Sequence, residues 1–169
     1  MATKKDTIAA EFYHGYIKGA KSDDVLKAIK ISTKDFKKLL DEIPKKKIDH
    51  AYAEGKWTIR ELLQHIIDAE RVFTYRALRF ARKDATPLQS FDEKSWTENS
   101  QVKNRKWKDI VDEFKAVREA TDCLFKSFNE EQLLSKGIAS NNEINVLALG
   151  FIAAGHVEHH INIIKERYL

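Results

Sequence analysis

The sequence predicts an all-α fold, a four-helix bundle in a single domain. Three observations carry this expectation. Apolar residues recur at helical spacing in four long segments. Only two prolines and six glycines interrupt 169 residues, which favours long unbroken helices. Almost no segment alternates with period two, so no sheet is expected.

Residues 1–30 form an N-terminal segment expected to pack on the bundle. Within it Ile8 to Gly19 is apolar and aromatic, and His14, beside Tyr13 and Tyr16, reads as a packing residue. The first long helix is expected near Ser32, where Ser32 and Asp35 resemble an N-cap followed by an acidic residue. Phe36, Leu39, Leu40 and Ile43 follow at helical spacing, and Pro44 ends the helix. Residues 44–57 read as a loop, with Gly55 just before Trp57.

The second helix opens on a capping box, Thr58-Ile-Arg-Glu61. Ile59, Leu62, Ile66, Ala69, Phe73, Ala77 and Phe80 then mark one face to about Arg82. His65 lies toward the edge of that face. Residues 83–104 are polar and form a long connection, with Phe91 and Trp96 expected to pack back on the body; such loops often close over sites. A third helix runs from about Trp107 to Phe128, and Asn129 starts a short helical turn ending near Gly137. The fourth helix is expected from about Ile144 to Tyr168, with Val146, Leu149, Ile152, Ala153, Ile163 and Ile164 on its apolar face.

Net charge is +4, with 26 acidic residues scattered among 30 basic ones. Nucleic-acid binding usually needs a basic stripe, often with stacking aromatics, and neither is present. The run Lys45-Lys46-Lys47 reads as a solvated connector. No stretch of 18 apolar residues exists, so no membrane span is expected. A single cysteine, Cys123, falls in a helical apolar pattern and is expected to be buried and inert. With no signal peptide recognisable, a cytoplasmic location is the expectation.

The chemistry lies in three histidines. His156 and His160 are one turn apart and fall near the centre of the fourth helix's apolar stripe. An imidazole there is costly unless its nitrogens are satisfied. Spacing alone leaves two readings: core histidines bonded to neighbours, or ligands of one ion completed by His65. Three ligands with an open position suit a catalytic metal site better than a structural one. Asp68 is placed either to orient His65 through its second nitrogen or as a surface carboxylate. His159 points to one side of the pair and Glu158 mostly away. Arg167 shares their face and either neutralises an anion or pairs with a nearby carboxylate. Other metal signatures fail. Glu61 and His65 are four apart rather than three, and His156-Val-Glu-His-His160 is not the zincin pattern.

The run Gly55-Lys-Trp-Thr-Ile-Arg-Glu-Leu-Leu-Gln-His65-Ile-Ile-Asp-Ala-Glu70 resembles the second-helix signature of the DinB-like superfamily. The ending Ala154-Gly-His156-Val-Glu-His-His160-Ile-Asn-Ile-Ile-Lys-Glu-Arg-Tyr168 resembles its fourth-helix signature. The resemblance covers roughly residues 30–169. It implies an up-down-down-up bundle and a divalent metal ion, zinc or nickel, held by His65, His156 and His160. It also implies a homodimer and a small-molecule substrate, and it does not imply DNA binding. The function this implies is metal-dependent transfer to a low-molecular-weight thiol in detoxification or stress response. Metal-dependent hydrolysis, and a non-catalytic metal- or ligand-binding bundle, are the alternatives.

Overall fold

The computed structural model describes residues 2–169. Four long helices form the bundle: α2 (Val25–Glu42), α3 (Ile59–Ala81), α5 (Trp107–Lys126) and α7 (Val146–Ile163). Shorter helices are α1 (His14–Gly19), α4 (Glu93–Asn99) and α6 (Glu130–Leu134). Two strands, β1 (Lys136–Ala139) and β2 (Asn142–Asn145), pair antiparallel.

The first bundle helix starts earlier than expected. Asp24 is its cap, its side chain accepting from the Lys27 amide at 3.0 Å. Ser32 is buried mid-helix instead, its hydroxyl donating to the Ile29 carbonyl. The N-terminal segment therefore ends at residue 24. The Thr58–Glu61 capping box forms as read, with the Thr58 amide donating to Glu61 Oε2 at 2.8 Å.

The hairpin corrects the expectation of no sheet. Its strands have four residues each, too short for alternation to register. Its turn is Ser140-Asn141, both at positive φ, the geometry that suits a two-residue hairpin loop. Gly137 is required there, because a Cβ would lie 2.2 Å from the Phe80 ring. The connection 83–104 is also more ordered than read. It carries α4, capped by Asp92, and Leu88 pairs with the hairpin through Ile138 and Ser140.

Packing order and direction follow from two apolar clusters at opposite ends of the bundle. One gathers Val25, Ala28 and Ile29 of α2 with Phe73 and Phe80 of α3, Phe125 of α5 and Leu149 and Phe151 of α7. The other gathers Phe36 and Leu39 of α2 with Leu63 and Ile66 of α3, Phe114 of α5 and Val157 and Ile161 of α7. Hence α2 and α7 run from the first cluster to the second, and α3 and α5 run the opposite way. This is the up-down-down-up arrangement. Arg60, opening α3, bonds the Arg105 carbonyl just before α5, and Lys83, just after α3, pairs with Glu131 beyond α5. A parallel α3–α5 pair needs the long connection between them.

Between the two clusters lies a polar knot. The Arg118 guanidinium on α5 is fully buried. It donates to Glu70 Oε2 on α3 at 2.8 Å, to Ile29 O and Ser32 Oγ on α2 at 2.7 Å, and to Thr33 Oγ1 at 2.8 Å. It also reaches the Ala153 carbonyl on α7 at 3.3 Å. Thr121 donates to the second Glu70 oxygen at 2.6 Å. One side chain thus touches all four bundle helices. Buried charge is tolerated because every polar atom is engaged.

The fourth helix was read as carrying one apolar stripe. Instead α7 is buried almost all round. The N-terminal segment covers its outer side, and α1 approaches so closely that a Cβ on Gly155 would lie 1.8 Å from the Tyr16 carbonyl oxygen. Asn145 fixes both parts. Its side chain accepts from the Ala148 amide, capping α7, and from the Ile8 amide, while donating to the Asp6 carbonyl. Past Ile163 the helix ends in a π turn, Ile164–Tyr168. No helix is long and apolar enough to cross a membrane. Cys123 is exposed rather than buried, and His14 is exposed with Nε2 3.2 Å from the Ala9 carbonyl oxygen.

Candidate metal centre

Two helices bring the three histidines together. His65 sits two turns into α3, where the capping box sets the helix start. His156 and His160 project from α7 as the one-turn spacing requires. All three are buried, at 4%, 4% and 7% exposure. His65 Nε2 and His156 Nε2 are 3.0 Å apart, and so are His156 Nε2 and His160 Nε2. The candidate donor atoms all lie within 4.8 Å of one another.

This convergence has a chemical problem without an ion. A ring nitrogen offers one lone pair or one N–H. His156 Nε2 faces two other nitrogens and cannot bond well to both. His160 Nδ1 is buried with no hydrogen-bond partner. Burial also keeps the rings uncharged. It lowers the His65 pKa to about 4, helped by His159. It holds His156 and His160 well below the ordinary value, and neighbouring histidines push the same way. Neutral imidazole is the form that ligates metal. A four-coordinate ion with bonds of about 2.0–2.1 Å would want nitrogens about 3.3 Å apart; two separations are close to that at 3.0 Å, and the widest, within 4.8 Å, would close as the rings turn toward an ion.

Aromatic rings hold the imidazoles in place. Trp57 lies 4.8 Å from the His65 ring. Tyr16 and Phe73 meet His156 edge-on at 5.4 and 5.8 Å. Burial raises the Tyr16 phenol, and the Glu93 carboxylate at the start of α4 adds to the effect. A pocket of about 320 Å³ reaches His160, lined by the loop preceding α3, the first turn of α4 and the C-terminal turn. Tyr168 closes its wall, its hydroxyl donating to the Trp57 carbonyl at 2.6 Å.

The remaining expectations divide. Asp68 does not orient His65: its Oδ1 accepts from Gln64 Nε2 at 2.9 Å and lies 3.8 Å from Arg71. His159 is exposed, with its ring 5.3 Å from Tyr16. Glu158 turns away from the cluster but is buried, and pairs with Lys21 at 2.8 Å. Arg167 is exposed at the C-terminal turn and makes no ion pair among the described residues. Sequence reasoning assigned no role to Trp57, Tyr16, Glu93 or Lys94. The polar connection 83–104 was the one signal pointing toward the last two.

Comparison with known proteins agrees with this geometry. A relative from Oceanobacillus iheyensis, named "Putative metal-dependent hydrolase OB0413", is 28% identical over 142 residues, covering 83% of this chain and 81% of that protein. The solved structure of YfiT from Bacillus subtilis, described as "a probable metal-dependent hydrolase with an unusual four-helix bundle topology", superposes with a TM-score of 0.72 at 19% identity. The match covers 94% of this chain and 87% of that one, and at this identity it shows the fold. The sequence profile of the DinB superfamily matches residues 28–164, and the chain belongs to that superfamily.

Proposed function

We propose that the protein is a divalent-metal-dependent enzyme whose ion is held by His65, His156 and His160, and that it catalyses hydrolysis of a small molecule. The observation that carries this is the convergence of three buried imidazoles, one of which, His160, lines a pocket. A structural ion would be enclosed by four protein ligands, and here the protein offers three. A divalent ion bound there would supply Lewis acidity, polarising a substrate oxygen and making water acidic enough to attack near neutral pH. The chain's own part is positional. The α7 backbone sets His156 and His160 one turn apart, Trp57 and Phe73 exclude water from the ring faces, and the pocket admits substrate beside His160. The names of the relatives support the hydrolytic reading. Thiol transfer uses the same three ligands and is the second reading, because a soft thiolate suits an open position on zinc or nickel.

The test is elemental analysis of untagged protein beside His65→Ala and His160→Ala. About one equivalent of zinc or nickel in the wild type, lost in both variants, is expected. Full occupancy in either variant would remove the assignment. The loaded protein is then assayed on ester and amide substrates with and without added thiol. Turnover independent of thiol selects hydrolysis; strict dependence selects transfer.

A further inference from the structure

The pocket beside His160 has a chemical character of its own. Tyr52, Trp57 and Tyr168 form its aromatic walls, and Lys56 and Lys94 also line it. No carboxylate does. The walls are tied from two directions: Tyr168 bonds the Trp57 carbonyl, and the Tyr52 ring meets Tyr168 edge-on at 5.0 Å. Both lysines are exposed. Lys94 has only a loose contact with Glu98, at 3.9 Å. Lys56 makes no ion pair among the described residues. The two come from different segments, the loop before α3 and the first turn of α4, and meet at this pocket.

We infer that the pocket selects small substrates with a flat apolar body and an anionic group at the end remote from the metal. This rests on the metal-site reading and names the substrate class of that same site. The aromatic walls supply apolar area at low entropic cost. Two ammonium groups without a lining carboxylate leave a positive potential that an anion neutralises. At about 320 Å³ the volume sits at the small end of ligand sites, so the body is one ring or its equivalent.

The test compares two probes on the zinc-loaded protein, benzyl mercaptan and 4-(mercaptomethyl)benzoate. Both carry a thiol for the metal, and only the second carries a remote carboxylate. Dissociation constants are measured by calorimetry at low salt, with metal content determined on the same samples. The carboxylate is expected to tighten binding about fivefold in the wild type, the scale of two exposed charge contacts. That advantage falls below about twofold in the Lys56→Ala/Lys94→Ala double variant, while benzyl mercaptan binds both proteins alike. Zinc present with no carboxylate advantage, or an advantage that survives in the double variant, overturns the inference alone. No zinc or nickel in the reconstituted wild type overturns the metal reading and this inference with it.

Discussion

Gly155→Ala tests how the N-terminal segment is seated on the helix that carries two of the three histidines. The added Cβ would lie 1.8 Å from the Tyr16 carbonyl oxygen and 2.5 Å from its carbonyl carbon. These are backbone atoms, so no rotamer change relieves the clash. Restoring even a 3.0 Å contact moves that peptide by about 1.2 Å. Overpacking of this kind costs about 1–3 kcal/mol. Replacing a helical glycine by alanine returns about 0.5–1 kcal/mol; because the clash is with backbone, the overpacking cost falls in the upper half of its range, about 2–3 kcal/mol, and the net loss is about 1–2.5 kcal/mol. For a chain of this size each kcal/mol is worth about 2–4 °C, so melting followed by circular dichroism should drop by about 2–10 °C. Gly15→Ala is the matched control on the other partner. It too is helical, but nothing lies within 4 Å of its added Cβ, so its melting temperature should hold or rise. A Gly155→Ala protein that melts no lower than Gly15→Ala would refute the reasoning.

Glu70→Ala leaves Arg118 buried without its counter-charge, and about 3–5 kcal/mol should be lost in urea denaturation. Asn145→Ala removes the α7 cap and both side-chain ties to the N-terminal segment, leaving only the backbone bond from the residue 145 amide to the Ile8 carbonyl; about 1–2 kcal/mol should be lost, with faster proteolysis before residue 14. The metal-free protein should weaken in acid. Its buried histidines have lowered pKa values, so the unfolded chain takes up protons first; stability is full above about 6.5 and is lost as pH falls toward about 4. Urea midpoints at pH 7.5, 5.5 and 4.5 check this, and a rising midpoint would contradict it. Metal at a thousand times its dissociation constant should stabilise the native state by about 4 kcal/mol, seen as a drop in melting temperature when chelator is added.

The site was more legible than the framework around it. Helical spacing singles out His156 and His160, with His65 as a third candidate, but leaves core and ligand readings both open; the resemblance of the two helix signatures is what favours ligands. Their convergence is a tertiary fact that the sequence could only suggest. The capping box at Thr58 was readable because both partners lie within four residues. The true cap of α2, Asp24, was passed over for Ser32, since both positions offer a capping side chain and only the buried bond to Arg118 separates them. The hairpin escaped because four-residue strands carry no period. Cys123 sits in an apolar pattern yet faces solvent, because the buried face of α5 runs through Phe114, Arg118, Thr121 and Phe125. A buried arginine and threonine reverse the usual reading of which face is the core.

Arg118 has a consequence for how the chain assembles. Four amphipathic helices with similar apolar faces can be stacked in several orders, and hydrophobic burial alone distinguishes them poorly. The guanidinium is planar, with its donors in a fixed fork. It is satisfied only when α2 offers Ile29, Ser32 and Thr33, α3 offers Glu70 and α7 offers Ala153 at one level. A bundle with exchanged neighbours, or with one helix slipped by a turn, would bury an unanswered charge. The knot therefore acts as a parity check on assembly, and the register that passes it is the one in which His65 lies opposite His156 and His160.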